Sequence, residues 1–151
     1  MNKAELIAAA KEQWTQSEAS IARAAKGNFD GKPADGGWSA GDIYRHMVDV
    51  AHKLPEGFTD LLTHGELKSL QPGDEAGIAA FASLNSRMLP VELNTAHGIV
   101  WMALQKLTEA DLEKDVSIMG GTHKFGAIAP ILLVGHEQGH VAQALAAAGV
   151  S

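Results

Sequence analysis

The sequence predicts an all-α protein, a four-helix bundle formed by residues 1–151 as one domain. Two observations lead there. Apolar residues recur at spacings of three and four through four long stretches, the repeat of a helix with one buried face. Segments rich in Gly, Pro and Asp separate those stretches, and 151 residues can enclose one sizeable core.

The first stretch covers residues 3–26, where Leu6, Ile7, Ala10, Trp14, Ile21 and Ala24 share a face, and Gly27 is the expected stop. Residues 28–37 contain Asp30-Gly31, Pro33 and Gly36-Gly37 and read as a loop. Ser39 stands in N-cap position for a second helix, with Asp42 three residues on. Ile43, Met47, Val50 and Leu54 line it, Pro55 is expected at a break or kink, and Phe58, Leu61 and Leu62 continue it. Residues 70–73 read as a turn. Pro90 divides the third region into a piece over 75–88 and a longer one over 90–107, with Pro90 at the first helical position. Val91, Thr95, Ile99, Met102 and Leu107 supply the inward stripe of the longer piece. Residues 108–112 form a turn, and 116–125, with Gly120-Gly121, either an irregular loop or a short hairpin. The last helix covers 126–148, starting nearer Ala129 if Pro130 is to sit in its first turn.

Composition narrows the function classes. Apolar residues make up 46% and mean hydropathy is −0.04, as expected of a soluble globular chain. A net charge of −6 without any basic stripe argues against nucleic acid and against anionic membranes. The chain has no cysteine, so disulfides, Cys-zinc sites and a protein thiol nucleophile are excluded. Residues 1–10 include Lys3 and Glu5 and lack the apolar run of a signal peptide, so the cytoplasm is the expected compartment.

Chemistry concentrates in His136-Glu137-Gln138-Gly139-His140. Two histidines four apart on a helix point the same way and can both bind one transition-metal ion. The string matches the H-E-x-x-H pattern of zinc proteases. Residues 141–151 contain no His, Asp or Glu, however, so a third ligand is expected from an upstream helix. His46, beside Ile43, Met47 and Val50, is the first choice; alone it reads first as a core histidine bonded to a carbonyl, and the His136/His140 pair is what turns the reading to a ligand. His97 is the reserve, with packing or substrate contact ahead of ligation. His52, His64 and His123 read as solvated surface residues. Gln143, one turn past His140, either bonds a ligand imidazole or substrate, or is a satisfied polar residue at the bundle end. Asp42 either fixes the tautomer of His46 or serves the helix N-terminus. Glu137, the general base in a zincin, reads here as a solvated flank residue. Trp38 and Tyr44 are open to a pocket wall or the core.

Residues 37–47, Gly-Trp-Ser-Ala-Gly-Asp-Ile-Tyr-Arg-His-Met, resemble the W-S…H-M segment of the DinB-like (DinB/YfiT) superfamily. His136 to Gln143 resembles that family's final-helix H…H..Q, and Asn85 with residues 107–112 resembles its third-helix region. The likeness follows the expected order along nearly the whole chain. It implies an up/down four-helix bundle with a crossover connection and a divalent metal on His46, His136 and His140. It also implies S-transfer or isomerisation with a low-molecular-weight thiol such as bacillithiol or mycothiol, or metal-dependent hydrolysis. Three imidazoles leave Zn²⁺ or Ni²⁺ an open position that acidifies a bound water or thiol. A small-molecule substrate and a homodimer are the expected partners. The competing readings are a non-catalytic metal- or small-ligand-binding stress protein and a zincin, the latter lacking its downstream ligand.

Overall fold

The computed structural model describes residues 1–68 and 74–151; the turn expected over 70–73 lies outside them. Among the described residues the chain is mostly helical, with one β-hairpin. Its elements are α1 (Lys3–Ala24), α2 (Ala40–His64), α3 (Asp74–Ala80), α4 (Leu89–Gln105), α5 (Glu109–Leu112), β1 (Asp115–Ile118), β2 (Gly121–Lys124), α6 (Phe125–Pro130), a π turn (Ile131–Gly135) and α7 (His136–Ala148). α1 packs on α4 and α7, and α2 packs on α4, α7 and the short α3. Among the described residues no helix is long and apolar enough to cross a membrane.

Capping groups set the starts. Asn2 accepts the N–H of Glu5, and the Glu5 carboxylate returns a bond to the Asn2 N–H, a full capping box. Ser39 Oγ accepts the Asp42 N–H at 3.1 Å, but the Asp42 carboxylate turns to Arg45 at 2.9 Å, so the box there is half made. α2 runs through Pro55 to His64 without the expected break, and Gly65, at φ 76°, ends it in the left-handed conformation.

The piece expected over 75–88 is helical only to Ala80. Side chains compete for the backbone beyond that point: Asn85 Oδ1 accepts the N–H groups of Arg87 and Met88, and Arg45 Nη2 donates to the Leu84 carbonyl. α4 is inverted relative to the expectation. Its buried residues are Leu89, Leu93, Ala96, His97, Val100 and Leu104, whereas Val91, Thr95, Ile99 and Met102 are exposed and only Leu107 of the expected stripe is buried. Residues 115–124 resolve as the hairpin, turned by Met119 (φ 54°) and Gly120 (φ 76°), the paired left-handed residues of a type I′ turn.

The final helical run begins at Phe125, so Pro130 falls past the first turn, where it has no N–H to give. The chain widens there into the π turn, closed by His136 N–H donating to the Ile131 carbonyl, and α7 follows without a break.

Two apolar clusters fill the interior. One gathers Leu6, Trp14, Phe58, Leu104, Phe125 and Leu133; the other Ile21, Ile43, Tyr44, Met47, Leu93 and Ala144. Buried polar residues lie between them along the helices: Ser17 on α1, His97 on α4 and Glu137 on α7.

Two outcomes follow. A Cβ on Gly27 would run into the Ala148 carbonyl and Val150, where the Asn28 N–H bonds Ala148 O at 2.9 Å. Gly27→Ala should therefore destabilise the fold by about 1–3 kcal/mol in urea unfolding, the range for overpacking. The Lys114 ammonium, followed by the Thr108 N–H, holds the Asp111 carboxyl down at about 2. A carboxylate whose pKa is lowered by folding contributes stability above about pH 4 that is lost toward pH 2. Acid unfolding of Asp111→Asn should be correspondingly flatter over that window.

Candidate metal centre

The packing of α2 on α7 brings His46 to His136 and His140. One ligand-type atom from each ring lies within 4.8 Å of the others. Ring centroids are 5.4 Å apart for His46–His136, 4.7 Å for His46–His140 and 4.4 Å for His136–His140. His46 Nε2 faces His136 Nε2 at 3.3 Å. Tetrahedral ligands at metal–nitrogen distances of 2.0–2.1 Å stand about 3.3 Å apart, so this pair already has that spacing.

The electrostatics favour neutral rings. Burial, followed by repulsion from His140, lowers the pKa of His46, against the pull of Asp74 and Asp49. Burial pushes His136 down to about 4, with His140 and His46 adding to the shift. Near pH 7 both rings keep their lone pairs for a cation.

Neighbouring side chains set the tautomers. His140 Nδ1 donates to Gln143 Oε1 at 2.9 Å, which leaves its Nε2 as the free donor atom. His46 Nδ1 is buried without a hydrogen-bond partner, while Asp74 Oδ1 stands 3.5 Å away, too long for a bond but close enough to attract a proton. If His46 carried its proton on Nε2, a bare Nδ1 lone pair would face the Asp74 carboxylate. With the proton on Nδ1, the His46 Nε2 lone pair faces His136 Nε2 at 3.3 Å, where either an N–H of His136 or a shared cation satisfies it. The three converging ring nitrogens, with His46 Nδ1 turned to Asp74, fit a divalent metal.

Trp38 lies over His46 with ring centroids 5.2 Å apart, anchored by its Nε1 donating to Glu75 Oε1 at 3.2 Å. It also walls a recess of about 180 Å³ shared with Pro33, Asp35, Gly37, Gln143 and Ala147. The recess therefore adjoins the histidines through Trp38 and Gln143.

The other expected residues separate into distinct places. Gln143 bonds a cluster imidazole. Asp42 does not reach His46; it pairs with Arg45, and the carboxylate beside His46 is Asp74, from α3. Tyr44 is core, its hydroxyl 2.7 Å from Ser20 Oγ and its pKa raised by burial. His52 is no solvated residue, since it stacks on Phe81 and pairs with Glu92 at 2.9 Å, whereas His64 and His123 are exposed.

Glu137 and His97 correct the reading most. Glu137 is 5% exposed and its side-chain partners lie outside the three-histidine cluster. It accepts from Ser17 Oγ at 2.6 Å and meets His97 Nε2 at 2.6 Å, while His97 Nδ1 meets Glu18 Oε1 at 2.7 Å. Trp14 stacks on His97 at 5.0 Å. The sequence signal was present in α1, where Gln13 and Ser17 interrupt the stripe formed by Ala10, Trp14 and Ile21. Polar residues on a buried face need buried partners.

No protein-family model, curated protein or solved structure matches this chain.

Breaking the polar layer should cost stability and loosen the placement of the histidine cluster. Glu137→Leu leaves His97 and Ser17 buried without their partner, and a loss of about 3–5 kcal/mol is expected in denaturant unfolding. Metal uptake measured on the folded variant should weaken as well, because Glu137 holds α7 to α1 and α4 and so sets where His136 and His140 stand.

Proposed function

We propose that this chain is a divalent-metal protein of the DinB-like class, an up/down four-helix bundle with a crossover connection, that binds Zn²⁺ or Ni²⁺ through His46, His136 and His140. The observation that carries this reading is the convergence of three imidazoles from sequence-distant helices, with donor atoms within 4.8 Å. The bonding of Gln143 to His140 and the buried, unpaired Nδ1 of His46 beside Asp74 support it.

The proposed activity is transfer of a low-molecular-weight thiol, such as bacillithiol or mycothiol, to a small electrophile, or metal-dependent hydrolysis. A divalent ion with three protein ligands supplies an open position at which water or thiol loses its proton near neutral pH. The chain has no cysteine, so any thiol must come from outside. Gln143 orients His140, Asp74 attracts the His46 Nδ1 proton, and Trp38 covers His46 on the side of the recess, where an apolar part of the substrate would rest.

Elemental analysis of protein purified without a polyhistidine tag tests the ion directly. About one equivalent is expected, and His46→Ala, His136→Ala and His140→Ala should each abolish it. Unchanged metal content in all three would overturn the assignment. Gln143→Leu should retain the fold and weaken binding roughly 10- to 100-fold, the usual effect of removing a group that orients a ligand. Conjugation and ester-hydrolysis assays on the metal-loaded protein then separate the two reactions, and retained metal without turnover would mark a binding protein instead.

A further inference from the structure

The outward face of α4 is apolar. Met88, Val91, Ile99 and Met102 are 51%, 67%, 42% and 60% exposed. They make four of the nine exposed large apolar side chains among the described residues, whereas Trp101 lies round the helix toward α1, with Lys11 Nζ 5.2 Å over its ring. The face lies opposite the side of α4 that packs on α1 and α2, and no other described element covers it.

The stripe is also free of loose polar groups. Thr95, at its centre, donates its hydroxyl to the Val91 carbonyl at 3.0 Å, which leaves its methyl group to the surface. Glu92, the one charged residue of α4, is paired with His52 at 2.9 Å. Gly98 beside the stripe has open space above it, so another helix can come close.

The spacing identifies the occupant. From Met88 through Val91, Thr95 and Ile99 to Met102 the steps are three, four, four and three, the same read from either end. We propose that α4 is the interface of a two-fold homodimer, packing antiparallel on α4 of a second copy with the axis at Thr95. That operation sets Met88 against the partner's Met102 and Val91 against the partner's Ile99, and it is self-complementary as a two-fold contact must be. The stripe is about 21 Å long. The open parts of its large side chains, with those of Thr95 and Gly98, amount to roughly 450 Å² a copy, so the pair covers roughly 900 Å², the size of a weak, reversible interface. A reversible dimer is the expected result.

The absence of native cysteine makes the register directly testable. Sedimentation of the full chain should show a dimer at about 100 µM, and Val91→Glu should raise the dissociation constant at least tenfold while leaving the helical circular dichroism unchanged. Thr95→Cys should cross-link to itself under mild oxidation. Val91→Cys should not, because its two copies would stand about 12 Å apart along the axis, beyond disulfide reach. Mixed Met88→Cys and Met102→Cys proteins should cross-link to each other and neither to itself. A monomer at that concentration, which would leave the face to a different partner, overturns the proposal. So does self-cross-linking at both 91 and 95, the mark of parallel pairing.

Discussion

The Glu137 carboxylate is the constraint on which the rest of the site depends. It is buried at the junction of three helices, held by Ser17 of α1 and His97 of α4, with Glu18 on the far side of the His97 ring. Each short N···O contact needs a proton between its atoms, so His97 ties Glu137 to Glu18 through both ring nitrogens. A charged group so enclosed tolerates few alternative arrangements, because any rotation of α7 would strip partners from it. That fixes the angular setting of α7. His136 and His140, one residue before and three after, thereby stand about 100° and 60° round the helix from it, on the side toward α2. The polar layer does no chemistry at the histidine cluster, yet it decides where the cluster's two α7 rings stand.

The π turn serves the same end. A regular helix through Pro130 would leave the Gly126 carbonyl without its usual donor and set the following residues by a 3.6-residue repeat. Widening over Ile131–Gly135 absorbs the proline and lets the buried line advance in steps of four, from Ala129 to Leu133 to Glu137. The irregularity ends at His136, the first of the metal-type ligands. Helix geometry is thus spent where the phase of the next three turns has to be set.

Much of the cluster was legible in the sequence because its signal is local. An H-x-x-x-H pair on one helix face needs no knowledge of the tertiary fold, and His46 followed from its place beside Ile43, Met47 and Val50 on one face of α2. What stayed hidden depends on contacts distant in sequence. Asp74 reaches His46 only because α3 folds back on α2, where Gly77 leaves space that the Asp49 carboxylate occupies. Asp42, adjacent in sequence and of the right chemistry, was the natural candidate, but it is held by Arg45. Glu137 looked solvated because a carboxylate on a helix usually is; its partners lie 120 residues away at Ser17 and 40 away at His97.

The inversion of α4 has a different cause. Leu89, Leu93, Ala96, Val100 and Leu104 recur with helical spacing, and so do Met88, Val91, Thr95, Ile99 and Met102. Periodicity detects an apolar face but cannot choose between two on the same helix. The choice is made by fit. The inward face carries Ala96 and His97 where α4 meets the polar layer, and the ring of His97 enters it only if that face is the buried one. The residue that fixes α7 therefore fixes α4 as well, through the same hydrogen bond. Having turned one apolar stripe inward to satisfy Glu137, the helix has no means of burying the other within its own chain.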